Sequence, residues 1–172
     1  GAFGAFIIGY AVSSAGLPGC PMVMEISTAA IWESLKTIPD PEIPAVSIVD
    51  LGIVRNVEFN DDQLKITITP TYSGCPAFSF MKEEIIRHLE SAGIFNYQID
   101  TSLAPPWTTD WMSDSVKAKL KEAGIAPPSH KVECPQCESQ NVDVISEFGS
   151  TACKALYKCN ECSEIFHHFK QI

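Results

Sequence analysis

The sequence is short of positive charge: across 172 residues, 12 lysines and arginines face 21 aspartates and glutamates, for a formal charge of -9. Such a chain repels phosphate backbones at long range, and no local basic run offsets the imbalance, so nucleic acid is not an expected partner. The sequence also lacks a nucleotide-binding glycine motif and any constellation of histidine with carboxylates, the usual signatures of an autonomous active site. Internal repeats and low-complexity tracts are missing too. The opening residues 1–24 begin GAFGAFIIGYAV and have no basic leader of the kind a secretory signal carries. Their longest apolar stretch falls short of the roughly 20 residues that a bilayer crossing needs. They are expected to be a non-native or disordered extension, with Met22 or Met24 as the natural start.

What is present describes a globular protein. An apolar fraction of 45% with 19% charged residues supplies a real core, and the length suits one moderate domain plus a small appendage. From Ser27 to about Thr37, Ile31, Leu35 and Ile38 recur at helical spacing, and Ser27 suits the cap. The two prolines of DPEIP then end the helix. Ile53, Val57 and Phe59 mark one face of a strand, Leu64, Ile66 and Ile68 mark a second, and Asn60, Asp61 and Asp62 form the turn between them. A helix over 77–92 places Phe78, Met81, Ile85 and Leu89 inward and ends at Gly93. A third strand alternates Tyr97, Ile99, Thr101 and Leu103, and a short helix over 114–123 ends at Gly124. This order predicts an α+β domain over 25–126, a small mixed sheet layered with helices. Pro127, Pro128 and Ser129 open a linker over 127–131, and a separate unit spans 132–172.

That second unit carries CPQC and CNEC, separated by 21 residues. Each CxxC turn can aim two thiolates at one ion, so Cys134, Cys137, Cys159 and Cys162 are the expected ligands of a structural metal. A tail of this size has too little interior to fold by burial alone, and a metal supplies the deficit. Thiolate tetrahedra favour zinc, although iron fits the same cage. A pair of redox dithiols is the competing interpretation, and Cys153, His167 and His168 are candidate replacements for one ligand. Seven cysteines, four of them so arranged, point to a reducing, cytoplasmic compartment.

Cys75 stands apart in TPTYSGCPAF, with Gly74 to turn the chain and Pro76 to start the next helix. A sulfur at a helix N-terminus gains from the dipole and the free amides as a thiolate, yet a buried, inert cysteine fits the same position. Asp40 and Glu42 of DPEIP and Asp50 of VDLG are carboxylates near chain reversals that can approach it. One thiolate cannot hold a cluster alone; a dimer or a client protein would have to complete it. Trp107 and Trp111 in APPWTTDWM are expected either to anchor a partner or to seal the core.

The segments IPDPEIPAVSIVDLGIVRNV, TPTYSGCPA, PPWTTDWM, CPQC, ISEFGSTACKALYKC and CNEC together resemble the D-subunit family of bacterial phenylacetyl-CoA epoxidases. The resemblance runs from about Ile31 to the C-terminus. The front domain is similar to the SufT-type iron-sulfur assembly domains, which share the DPEI-like turn and a cysteine before proline. The resemblance implies an accessory maturation role in phenylacetate catabolism, with Cys75 delivering an iron-sulfur unit or iron and Asp40 and Glu42 in support. It implies as partners the oxygenase and the reductase subunit of the epoxidase system, the latter as client. A non-catalytic scaffold that stabilises or orients those components is the alternative.

Overall fold

The computed structural model of the protein describes residues 26–172 apart from Ser73; the expected extension over 1–24 lies outside the described residues. Helix α1, Thr28–Leu35, is capped by Ser27, whose Oγ accepts the Ala30 amide at 3.2 Å. It buries Ile31 and Leu35, while Ile38, expected on the same helical face, falls in the following turn and is buried from there. The DPEIP segment folds back on itself through hydrogen bonds from the Asp40 amide to the Val46 carbonyl (2.9 Å) and from the Ile48 amide to the Ile38 carbonyl (3.1 Å). Ile43, Val46, Ile48, Leu51 and Ile53 of this irregular stretch all point into the core. Sequence periodicity could not reveal that, because the chain between α1 and the first strand has none.

Strand β1, Val54–Asn60, pairs antiparallel with β2, Gln63–Ile68, across a turn in which Asp61 has φ 54°. β1 does not alternate cleanly as expected: its register shifts between Val54 and Asn56, and Phe59 is left exposed. The irregularity turns Arg55 outward, where its guanidinium lies 3.5 Å over the ring of Trp111. β2 does alternate, burying Leu64, Ile66 and Ile68 completely. Helix α2, Pro76–Ser91, crosses over to β3, Tyr97–Thr101, which pairs parallel with β2. The sheet order β1-β2-β3 is therefore mixed. β3 stops two residues before Leu103, which is 63% exposed rather than a continuation of the strand. A 3-10 turn, Thr109–Trp111, and helix α3, Asp114–Glu122, complete the front unit.

The tail is a four-stranded sheet ordered β4-β7-β6-β5, formed by Ile125–Ala126, Val142–Ser146, Lys154–Cys159 and Ile165–Phe169 in chain order. Its first strand, β4, precedes the proline-rich segment, so two residues expected in the front domain belong instead to the sheet of the tail. The two units also share a seam. Phe169 of β7 is buried in the front core against Trp107, ring centroids 6.0 Å apart, and Cys153 packs on the same cluster. No helix among the described residues is long and apolar enough to cross a membrane.

Candidate functional site

Both CxxC segments fold into the same local device. In the first, the Cys134 amide donates to the Ser139 carbonyl (2.9 Å) and the Glu138 amide to the Cys134 carbonyl (2.9 Å), with Glu138 at φ 59°. In the second, the Cys159 amide donates to the Glu164 carbonyl (2.8 Å) and Ser163 sits at φ 64°. A left-handed residue just past the second cysteine closes each loop, so that both sulfurs of a loop face the same way. The sulfurs of Cys134 and Cys162 are 3.7 Å apart, those of Cys137 and Cys159 3.5 Å, and all four lie within 4.8 Å of one another. These separations are far too long for disulfides, at about 2.05 Å. They match the edge of about 3.8 Å expected when four sulfurs surround an ion at about 2.3 Å. The donor set therefore fits a closed tetrahedral metal. Neither Cys153, His167 nor His168 joins it; His168 is buried among the strands, its Nε2 without a partner.

The four thiols compete for protons. Cys159 is lowered to about 7, first by the Cys162 amide and then by that of Glu161. At Cys137 the Ser139 amide favours the thiolate, but the neighbouring sulfurs, Cys162 foremost, and burial outweigh it and the thiol is pushed up to about 12. A divalent cation takes the place of those protons and relieves the competition. An ion pair between Lys121 of α3 and Glu138 ties the first loop to the front unit.

Cys75 lies, as its neighbours Gly74 and Pro76 required, at the N-cap of α2, where its side chain makes no capping hydrogen bond and is half-buried. Its sulfur is not isolated. The phenol of Tyr72 is pushed upward by burial, then by the charge of Cys75 and a hydrogen bond to it, and further by Cys153 and Glu42. Cys153 comes from the tail, half-buried just before β6, with its sulfur 3.1 Å from the Thr151 hydroxyl. Burial raises its thiol first; Thr151 and Lys154 oppose, and the charge of Cys75 adds to the rise.

Asp40, expected to support Cys75, spends its Oδ1 on the turn: it accepts the amides of Glu42 (2.9 Å) and Ile43 (2.8 Å). Burial raises its carboxyl, and the two amides and Lys154 pull it back. Glu42 is exposed, and its carbonyl meets the Lys154 ammonium at 3.5 Å. Asp50 is engaged elsewhere, pairing with Lys119 at 2.7 Å and accepting the Ser47 amide at 3.1 Å. Trp107 is unavailable to a partner: it is 4% exposed and its indole N–H donates to the Leu51 carbonyl at 2.8 Å, which makes it a seal of the core. Trp111 is half-buried beneath Arg55. Sequence reasoning missed Tyr72 and Lys154 altogether. Lys154 is 3% exposed and in no ion pair among the described residues, and nothing in a lysine's sequence neighbourhood announces burial.

The two units match two family models, an iron-sulfur cluster assembly protein over residues 28–93 and the PaaD zinc beta ribbon domain over 121–170. The proposed D subunit of the 1,2-phenylacetyl-CoA epoxidase of Escherichia coli strain K12 is 46% identical over 151 residues, 83% of this chain and 92% of its own length. The chain belongs to that D-subunit family. The front unit of this family member is also similar to smaller proteins. A "Fe-S protein maturation auxiliary factor" of Porphyromonas gingivalis is 38% identical over 92 residues, 52% of this chain and 87% of that protein. The crystal structure of a domain of unknown function, DUF59, from Bacillus anthracis aligns with a TM-score of 0.50 and 27% identity, covering 54% of this chain and 90% of that one. The expected fold, an α+β assembly-type domain followed by a ribbon, is the fold observed.

Proposed function

We propose that the protein is a cytoplasmic accessory factor of the phenylacetyl-CoA epoxidase system that passes iron or an iron-sulfur unit through Cys75 to the reductase component of the oxygenase. The observation that carries this reading is the placement of Cys75: a half-buried sulfur outside the quartet, at the N-terminus of a 16-residue helix and inside the unit that matches iron-sulfur assembly proteins. Its sulfur takes no capping hydrogen bond from the helix, and a cysteine sulfur is a donor suited to soft metal. The quartet is read as a structural zinc site, because a closed four-sulfur cage leaves no coordination position for chemistry. The ribbon then serves as the docking element, with Val144, Ile145, Phe148 and Ile165 exposed on its strands and loops.

Replacing Cys75 by Ser tests the role directly. The variant is expected to fold and to keep its zinc, while the reductase made in its presence lacks cluster; a fully loaded, active reductase would refute the reading. The same exposed apolar side chains favour a second reading, a scaffold that stays bound to the oxygenase components. Co-purification separates the two: a scaffold elutes with its partners in fixed stoichiometry and tolerates Cys75→Ser, whereas a carrier leaves.

A further inference from the structure

The buried lysine of the tail, Lys154, begins β6, and the same strand ends at the quartet ligand Cys159. At about 3.4 Å per residue a six-residue strand spans about 17 Å. Both ends are fixed. At the metal end the Cys159 amide donates to the Glu164 carbonyl at 2.8 Å, and Lys158 pairs with Ile165 of β7. At the far end Lys154 pairs with Phe169, so the two side chains leave the same face of the sheet, and both reach the front unit. Phe169 enters the apolar core beside Trp107. The Lys154 ammonium comes to 3.5 Å from the Glu42 carbonyl of the DPEIP turn. The Gly149 amide donates to the Lys154 carbonyl at 2.7 Å, and a Cβ on Gly149 would stand 3.2 Å from the Lys154 Cβ, so the loop before β6 walls in the stem of the lysine. The receiving turn is wound by its own hydrogen bonds: Asp40 Oδ1 accepts the Glu42 and Ile43 amides, the Asp40 amide donates to the Val46 carbonyl, and the Val46 amide donates to the Ile43 carbonyl at 3.1 Å. None of these uses the Glu42 carbonyl. Among the described residues, the donor it meets is Lys154 of the other unit. The charge of the ammonium also draws the Asp40 carboxyl down, against the rise that burial imposes.

We propose that Lys154 couples the quartet to the DPEIP turn: with metal in the ribbon, β6 carries the ammonium onto the Glu42 carbonyl and holds the turn closed, and without metal the strand frays and the turn is released. A two-state element connects the two ends. The ribbon's own cluster is centred on Ala126, Cys134, Cys159 and Phe166, two of them ligands, so the metal decides whether β6 and β7 are formed. Methionine would fill the same seam without giving up the hydration of a charge, so packing alone does not account for a lysine there. Coupling of this kind is reciprocal: whatever factor the metal lends to the closed turn, the closed turn lends to the metal. Nothing in it depends on Cys75 as a carrier. It concerns the acidic turn, which a metal-loaded chain presents to a partner in its closed form and an empty chain does not.

Amide hydrogen exchange at Asp40, Glu42, Ile43 and Val46 tests the coupling in the full chain, zinc-loaded and after chelation. Chelation of the wild type is expected to speed exchange at these amides by about tenfold, the equivalent of one hydrogen bond to a charged group. In Lys154→Met the same amides should exchange fast with zinc still bound, and chelation should add little. If the turn of the wild type ignores zinc, the coupling is overturned. If the turn of Lys154→Met responds to chelation as fully as that of the wild type, the effect travels through Phe169 and the role of Lys154 is overturned. The reciprocal measurement is a zinc competition titration of Asp40→Ala, in which the turn loses its internal acceptor and no metal ligand is touched. Zinc should bind about tenfold more weakly, the same factor read from the other end, while one equivalent is still taken up at saturation. In the Lys154→Met background Asp40→Ala should leave zinc affinity unchanged. An unchanged affinity in Asp40→Ala alone overturns the coupling, and that result decides even where Lys154→Met does not fold.

Discussion

The front unit and the ribbon of one chain are held together by different physics. The front encloses a continuous apolar cluster from α1, the DPEIP turn, all three strands and the helices, with Leu35, Ile48, Leu64, Ile66, Ile68, Ile85 and Leu120 fully buried. The ribbon's own cluster has only Ala126, Cys134, Cys159 and Phe166 at its centre, and two of these are ligands of the quartet. Where apolar residues suffice, the fold needs nothing else. Where they do not, the sulfur atoms take over the task of a core, and the same residues cannot then also do chemistry.

The contrast is broken most forcefully by removing the metal. Chelation is expected to unfold the strands that carry the quartet, forfeiting an apparent stabilisation of about 10–16 kcal/mol for such a site, and to leave the front unit's helices protected from hydrogen exchange. A tail that stays equally protected would show that its small cluster is enough. Next in size is Trp107→Ala, which opens the seam where Trp107 meets Phe169. A loss of about 3–5 kcal/mol by urea denaturation is expected, with metal content unchanged because the quartet lies elsewhere. Ser27→Ala removes the cap of α1 and should cost about 1 kcal/mol, felt by the front unit alone.

The smallest effect is Asp50→Asn. Burial works against the Asp50 carboxylate, but the Lys119 ammonium and the Ser47 amide outweigh it and hold the group below its ordinary value of 3.8. A lowered folded-state value means that the ionised form stabilises the fold above pH 3.8, and that this stabilisation disappears as pH falls through the depressed value. The wild type should therefore exceed the variant by less than about 1 kcal/mol at neutral pH, and acid titration should close the gap. A difference that persisted in acid would assign the effect to packing.

Regular elements were legible in the sequence wherever a period existed. The alternation of Leu64, Ile66 and Ile68 and the helical spacing of Met81, Ile85 and Leu89 gave β2 and α2 with their buried faces. The irregular turn over 36–53 was not, because its buried residues obey no period and are held by side-chain and backbone hydrogen bonds that a spacing rule cannot see. The quartet was legible because CxxC is local: each loop sets its own two sulfurs, and only the pairing of loops is tertiary. The packing of Cys153 on the front core is wholly tertiary. It depends on Phe169 and the Lys154 region of the tail docking on the front unit, which neither segment announces by itself.

Phe169 lies beyond the last ligand cysteine and yet completes an interior to which the metal loops contribute nothing. The ribbon is consequently not a portable module. Grafting residues 132–172 onto a foreign protein would export a ring that belongs to someone else's interior, and the donor would be left with an aromatic-sized hole beside its tryptophan.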